Sequence, residues 1–404
     1  MPILTDISTL YTCKLDGGQD EVHPIIDAAI AWEGETIQWV GPASNVPAEL
    51  NGDTRYSADG QVVVPGLVDC HTHLGFWGWR ENEFEQRIKG AGYVEIAETG
   101  GGINKTMRQT REATSEDLTT HCLGVLEEMA GLGVTTVECK SGYGLSVEAE
   151  LRLLRIYKSL KELQPVGLIS TFLGAHVIPP EYSDDRGGYV SLLCDTLIPE
   201  IQADDLATFC DVFVEEGAFS GEEAEIILRS AQNAGMKSKL HVDQLSDGGG
   251  GALAARLGAI SADHLEYTSS SGMDAMADAG VVGVCLPFAS LYLNQQPMSG
   301  RAFIKAGVRL AVATDFNPGS APSYHLPLAM MLACTMSRLT PAEALKGATI
   351  HAALALGLQG SVGSIEDGKR ADFAVLDVSD VNHWLYHFRS NACTQTYIGG
   401  IPQD

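Results

Sequence analysis

The chain has 404 residues, 45% of them hydrophobic and 19% charged, with a formal net charge of −26. That length can bury a large core, and the composition is ordinary for a globular enzyme. The acidity excludes nucleic acid and anionic membranes as expected partners, and an anionic substrate would have to be held by a few well-placed cations.

Nine cysteines stand at irregular spacings with no C-x-x-C pair, the pattern of reduced thiols. Met1-Pro2-Ile3-Leu4 lacks the basic and apolar regions of a secretion signal, and the longest apolar stretch, around 281–293, is too interrupted to span a bilayer. A cytoplasmic location is expected.

In chain order, residues 1–60 carry strand-like runs at 28–32 and 36–40 broken by turn signals. From 61 to 359, short β-branched runs alternate with helical patterns, among them 115–132, 147–163, 221–234, 249–257 and 273–279. Strand candidates end near His73, Lys140, His176, Glu216, Asp243, His264, Pro287 and Asp315. Eight strand–helix units predict a (β/α)8 barrel of the TIM type. Residues 360–404 return to strand-like runs at 373–376 and 394–398. Each flank is too short for a core of its own, so the two are expected to form one small composite β-sandwich around the inserted barrel.

The first βα connection, 74–114, is long and contains Gly100-Gly101-Gly102, which suits a lid over the barrel mouth. Asp247-Gly248-Gly249-Gly250-Gly251 lacks the context of a phosphate cradle and reads as a flexible strand-to-helix turn.

Val63-Val64-Pro65-Gly66-Leu67-Val68-Asp69-Cys70-His71-Thr72-His73 is an apolar run ending in two histidines two residues apart. In a strand such residues share a face, so both imidazoles would reach the barrel mouth together. A bare H-x-H is more often an exposed strand end. His241 and Asp315 close two other predicted strands, however, and four polar residues at barrel strand ends are hard to explain as core. His71, His73, His241 and Asp315 therefore form a candidate site for one metal ion, zinc or iron, with room for a water. Such an ion makes hydroxide available near neutral pH, and Asp315 could accept a proton. His264, at another strand end, could act on the substrate or could hydrogen-bond a ligand.

The P-G-L-V-D-x-H-T-H run, the later strand-end histidine, the strand-eight aspartate and Gly368-Lys369-Arg370-Ala371-Asp372-Phe373 resemble the amidohydrolase superfamily across the whole chain. Two-metal members carry a carboxylated lysine on the fourth strand. Here 211–216 offers only carboxylates, which favours one metal, and Lys140 ends the second strand instead. Within the superfamily, Arg80-Glu81-Asn82-Glu83-Phe84, Glu138-Cys139-Lys140-Ser141-Gly142-Tyr143-Gly144-Leu145, the segment 171–176 and Ala313-Thr314-Asp315-Phe316-Asn317-Pro318-Gly319-Ser320 are similar to the imidazolonepropionase family.

The resemblance implies hydrolysis of 4-imidazolone-5-propanoate, a small anionic heterocycle, in a homodimeric enzyme. It also implies that Arg80 grips the propanoate, although an exposed pairing with Glu81 or Glu83 is the alternative. Tyr143 and His176 would hold the ring and carboxylate, Tyr93 in the lid could add a hydrogen bond, and Asn317, Gly319 and Ser320 would bind the product's new carboxylate. Some family members carry glutamate three residues after the strand-five histidine. Gln244 stands there and cannot shuttle a proton, so orienting the ring is its more plausible part in catalysis. The competing readings are a deaminase or cyclic amidase for another small heterocycle, and an inactive relative serving in assembly.

Overall fold

The computed structural model describes residues 1–50, 54–90 and 101–403. The first part of the chain forms β1 (Pro2–Tyr11), β2 (Pro24–Glu33), β3 (Thr36–Pro42), β4 (Thr54–Ser57) and β5 (Val62–Pro65). Then come β6 (Leu67–Asp69), β7 (Val134–Lys140), β8 (Gly167–Ala175), β9 (Phe209–Val214), β10 (Lys237–Val242), β11 (Ser261–His264), β12 (Val282–Cys285) and β13 (Leu310–Val312). The chain ends with β14 (Phe373–Leu376), β15 (Cys393–Ile398) and β16 (Ile401–Pro402).

Strands β6 to β13 are parallel neighbours in sequence order. Past their ends, a parallel bridge between Thr72 and Phe316 draws the first strand's exit to the last strand's exit. The His73 N–H donates to the Phe316 carbonyl at 2.9 Å and the Asp315 N–H to the His71 carbonyl at 3.0 Å. The barrel is thus drawn together at the mouth by the residues that bear the candidate ligands.

The two termini pair into one mainly antiparallel sheet, in the order β16-β15-β14-β5-β1-β2-β3 with β4 on β1. Leu4, Ile30, Trp32, Phe373 and Tyr397 fill a core of its own. Where two sheets of a sandwich were expected, hydrogen bonding makes a single eight-stranded sheet.

The run expected to be one barrel strand is two. Val62–Pro65 belongs to the terminal sheet and pairs with β14, while Leu67–Asp69 opens the barrel. Gly66 is the break, because a Cβ there would come within 2.3 Å of the Thr135 hydroxyl. Strands β6 and β13 also stop short of the expected ends, so His71, His73 and Asp315 sit on the turns that follow.

The helices are set by local signals and one apolar face. Thr114 caps Ser115–Gly131 through a capping box with Asp117, worth about 1 kcal/mol. The helix then buries Leu118, Cys122, Val125, Leu126 and Met129 at helical spacing. Among the described residues, the expected lid segment contains the helices Glu81–Ile88 and Ile103–Glu112. Tyr93 and Gly100 lie outside the described residues.

The glycine turn is anchored. The Asp243 carboxylate accepts from the N–H groups of Gly248, Gly250 and Gly251 at 3.1, 2.9 and 3.1 Å and from the Thr268 hydroxyl at 2.7 Å. All nine cysteines are free thiols. No helix among the described residues is long and apolar enough to cross a membrane.

Candidate active site

The strand-end residues converge. His71 Nε2 and His73 Nε2 each lie 3.4 Å from Asp315 Oδ1, and His73 Nε2 faces His241 Nε2 at 3.4 Å. A nitrogen of His264 comes within 4.8 Å of donor atoms of His71 and His241. All five residues are buried. Asp315 and His264 reach these positions through backbone with φ of +58° and +80°, a region side chains other than glycine's rarely adopt.

The outer ring nitrogens of His71 and His241 each face a carboxylate. His71 Nδ1 lies 2.6 Å from Asp263 Oδ2, and His241 Nδ1 lies 3.0 Å from Asp211 Oδ2. A proton on the outer nitrogen directs the lone pair of Nε2 inward, the arrangement in which imidazole binds a metal. Burial drives His241 well below the ordinary imidazole range, with His71 adding to the effect, and burial lowers His73 as well. Burial opposes the charge on Asp315, but the imidazoles of His71 and His73 outweigh it and hold the carboxyl well below its usual range.

His71 Nε2 and Asp315 Oδ2 are buried without a hydrogen-bond partner. Two imidazole nitrogens confronting each other beside a carboxylate, with these unmet acceptors, fit a cation of the zinc or iron type. The site meets that requirement with His71, His73, His241 and Asp315, from three barrel strand ends.

Beneath lies a layer that the sequence reading missed. Lys140 Nζ is 2.7 Å from Asp211 Oδ2, 3.0 Å from Glu138 Oε1 and 3.6 Å from Asp263 Oδ2. Lys239 Nζ is 3.0 Å from Glu138 Oε2. The signal was present: Glu138 and Lys140 on β7, and Lys239 and His241 on β10, are charged or polar pairs two residues apart in buried stretches of barrel strand. Burial opposes the charge on Lys140, but Asp211, Glu138 and Asp263 outweigh it and raise the amine above its usual range.

Above the ligands opens a cavity of about 500 Å³ lined by Arg80, Tyr143, His176, Gln244, Asn317 and Ser320, among others. Arg80 is buried, and its Nε donates to the Thr106 hydroxyl at 2.8 Å. It is therefore not an exposed partner of Glu81 or Glu83. Arg87, about two helical turns further along and not anticipated, also lines the cavity and donates to the Gly319 carbonyl at 3.1 Å.

His176 Nδ1 donates to the Gly142 carbonyl at 3.1 Å, which leaves Nε2 as an acceptor. Burial, reinforced by His73, pushes His176 down to about 3, so it is neutral at working pH. The N–H groups of Gly319 and Ser320 each donate to Asn317 Oδ1 at 2.8 Å. They shape the turn after Asp315, and as backbone donors both are already engaged there.

Residues 196–401 match the sequence pattern of the amidohydrolase family. An imidazolonepropionase of Geobacillus thermodenitrificans is 47% identical over 381 residues, covering 93% of this chain and 90% of that protein. One of Caldanaerobacter subterraneus is 42% identical, covering 96% and 92%. The chain belongs to the imidazolonepropionase family.

Solved amidohydrolases share the fold. An adenosine deaminase of Xanthomonas campestris with bound zinc superposes with a TM-score of 0.72 at 19% identity, over 99% of this chain and 92% of that one. A zinc complex of an atrazine chlorohydrolase from Arthrobacter aurescens gives 0.73 at 16%, over 100% and 95%. This imidazolonepropionase-family chain is thus a hydrolase whose buried histidine–aspartate cluster suits a metal ion.

Proposed function

We propose that this chain hydrolyses the ring amide bond of 4-imidazolone-5-propanoate to N-formimidoyl-L-glutamate, a step of histidine degradation, with one zinc or iron ion held by His71, His73, His241 and Asp315. The observation that carries this reading is a convergent histidine–aspartate cluster opening into a cavity whose wall presents a buried arginine. The relatives' names supply the substrate; the cavity supplies the means to hold it.

A metal ion in this cluster supplies Lewis acidity and lowers the pKa of water to near 7. The protein's own groups do the rest. Arg80, held by Thr106, grips the propanoate as a bidentate pair. His176, neutral with Nε2 as acceptor, takes a ring N–H, and Tyr143, whose ring centroid is 5.4 Å from that of His176, closes the same side. Gln244 orients the ring with its amide.

Asp315 Oδ2, buried and unmet, takes the proton of the attacking water and returns it to the departing amidine nitrogen. His264, whose Nδ1 has no hydrogen-bond partner, polarises the ring carbonyl. Ser320 and Asn317 border the space where the new carboxylate forms.

The test is turnover. Protein reconstituted with zinc or with iron, its metal verified by elemental analysis, is mixed with imidazolone propanoate while ring absorbance is followed. Loss of absorbance with formation of N-formimidoyl-L-glutamate is expected, and a metal-replete protein that leaves the ring intact would refute the reading.

A further inference from the structure

Behind the ligands, three fully buried carboxylates face one another: Glu138, Asp211 and Asp263. Donor atoms of Glu138, Asp263 and His71 lie within 4.8 Å of each other, close enough to hold a cation of their own, and Asp211 Oδ1 has no hydrogen-bond partner. Two tethered cations already stand there. Lys140 Nζ contacts all three carboxylates, at 2.7, 3.0 and 3.6 Å. Lys239 Nζ contacts Glu138 at 3.0 Å and Asp263 at 4.0 Å, and donates to the Cys70 carbonyl at 3.0 Å.

We propose that the buried ammonium groups of Lys140 and Lys239 fill the place of a second cation and so limit the centre to a single metal ion. A free divalent ion entering the carboxylate layer would meet two positive charges that cannot diffuse away. In a water-poor interior that repulsion is large. The same lysines hold Asp211 and Asp263 against the outer nitrogens of His241 and His71, so the carboxylates are spent on orienting ligands. The inference rests on the reading that the histidine cluster holds one metal ion.

Lys140→Met and Lys239→Met keep an unbranched side chain one atom shorter and remove the charge. Wild-type protein and each variant, produced in zinc-supplemented medium and dialysed against a weak chelator, are compared by zinc per chain and by melting temperature. Wild type is expected to retain one zinc. At least one variant is expected to retain two, and to lose thermal stability when the second is stripped.

A variant too unstable to isolate metal-free is expected to be recovered folded with zinc, again with two ions. Both variants folded with a single zinc would overturn the proposal. So would variants that zinc does not recover. Wild type with neither zinc nor iron by elemental analysis would instead remove the reading of the histidine cluster, so the two failures are distinguishable.

Discussion

At the residue scale, the contacts assign separable tasks. Arg80 Nε is fixed by Thr106, and its guanidinium lines the cavity above the candidate ligands. Arg80→Ala is therefore expected to raise KM by about 10- to 100-fold through loss of a charge-assisted bidentate contact, with metal content unchanged. Steady-state kinetics beside elemental analysis checks this, and an unaltered KM would remove Arg80 from substrate binding.

His71, His73, His241 and Asp315 were legible because polar residues at barrel strand ends violate the apolar pattern. Lys140, Lys239, Asp211 and Asp263 violate it equally, one layer deeper. Only the Glu138–Lys140 pair lies within one strand; the other partners come from different strands, and no spacing within one segment announces an ion pair across a barrel.

At the element scale, the turn after β7 depends on one carboxylate. Glu150, fully buried in the helix Val147–Leu163, accepts from the N–H groups of Gly142, Gly144 and Leu145 at 3.1, 2.8 and 2.8 Å. That turn carries Tyr143 to the cavity wall. Glu150→Ala would leave three buried donors unmet, an expected loss of about 3–5 kcal/mol in chemical denaturation. KM should rise in parallel as Tyr143 moves, and Glu150→Gln, which keeps an acceptor oxygen, should be milder in both. A variant as stable as the parent would show that water can replace the carboxylate.

The order of elements could be read from the alternation of strand and helix patterns, but the boundaries could not. The apolar run divides at Gly66, where Thr135, far away in sequence, leaves no room for a side chain. The helices in the expected lid segment carry strongly polar faces, which a search for apolar stripes passes over.

At the scale of the whole molecule, the barrel and the terminal sheet share the stretch from Val62 to Asp69, so neither can slide without the other. Stability should also fall in acid for a reason distant from the active site. His351, in the helix Ile350–Ala355, donates Nδ1–H to the Leu310 carbonyl at 3.2 Å, and burial, helped by Lys346, lowers it to about 3. The unfolded chain takes up this proton near 6.5, so keeping His351 neutral contributes nothing adverse above that pH. As pH falls from about 6.5 towards 3 the folded state loses about 1.4 kcal/mol per unit from this group. Denaturation of wild type and His351→Gln between pH 7.5 and 5.0 should show the wild type losing stability more steeply; equal slopes would assign the acid sensitivity elsewhere.

The central claim is that water adds at the ring carbonyl beside the histidine–aspartate cluster. Turnover of imidazolone propanoate in heavy-oxygen water, with the product fragmented by mass spectrometry, reads the site of attack directly. One heavy oxygen is expected in the newly formed carboxylate of N-formimidoyl-L-glutamate. A label on the amidine carbon, or release of ammonia in its place, would contradict it.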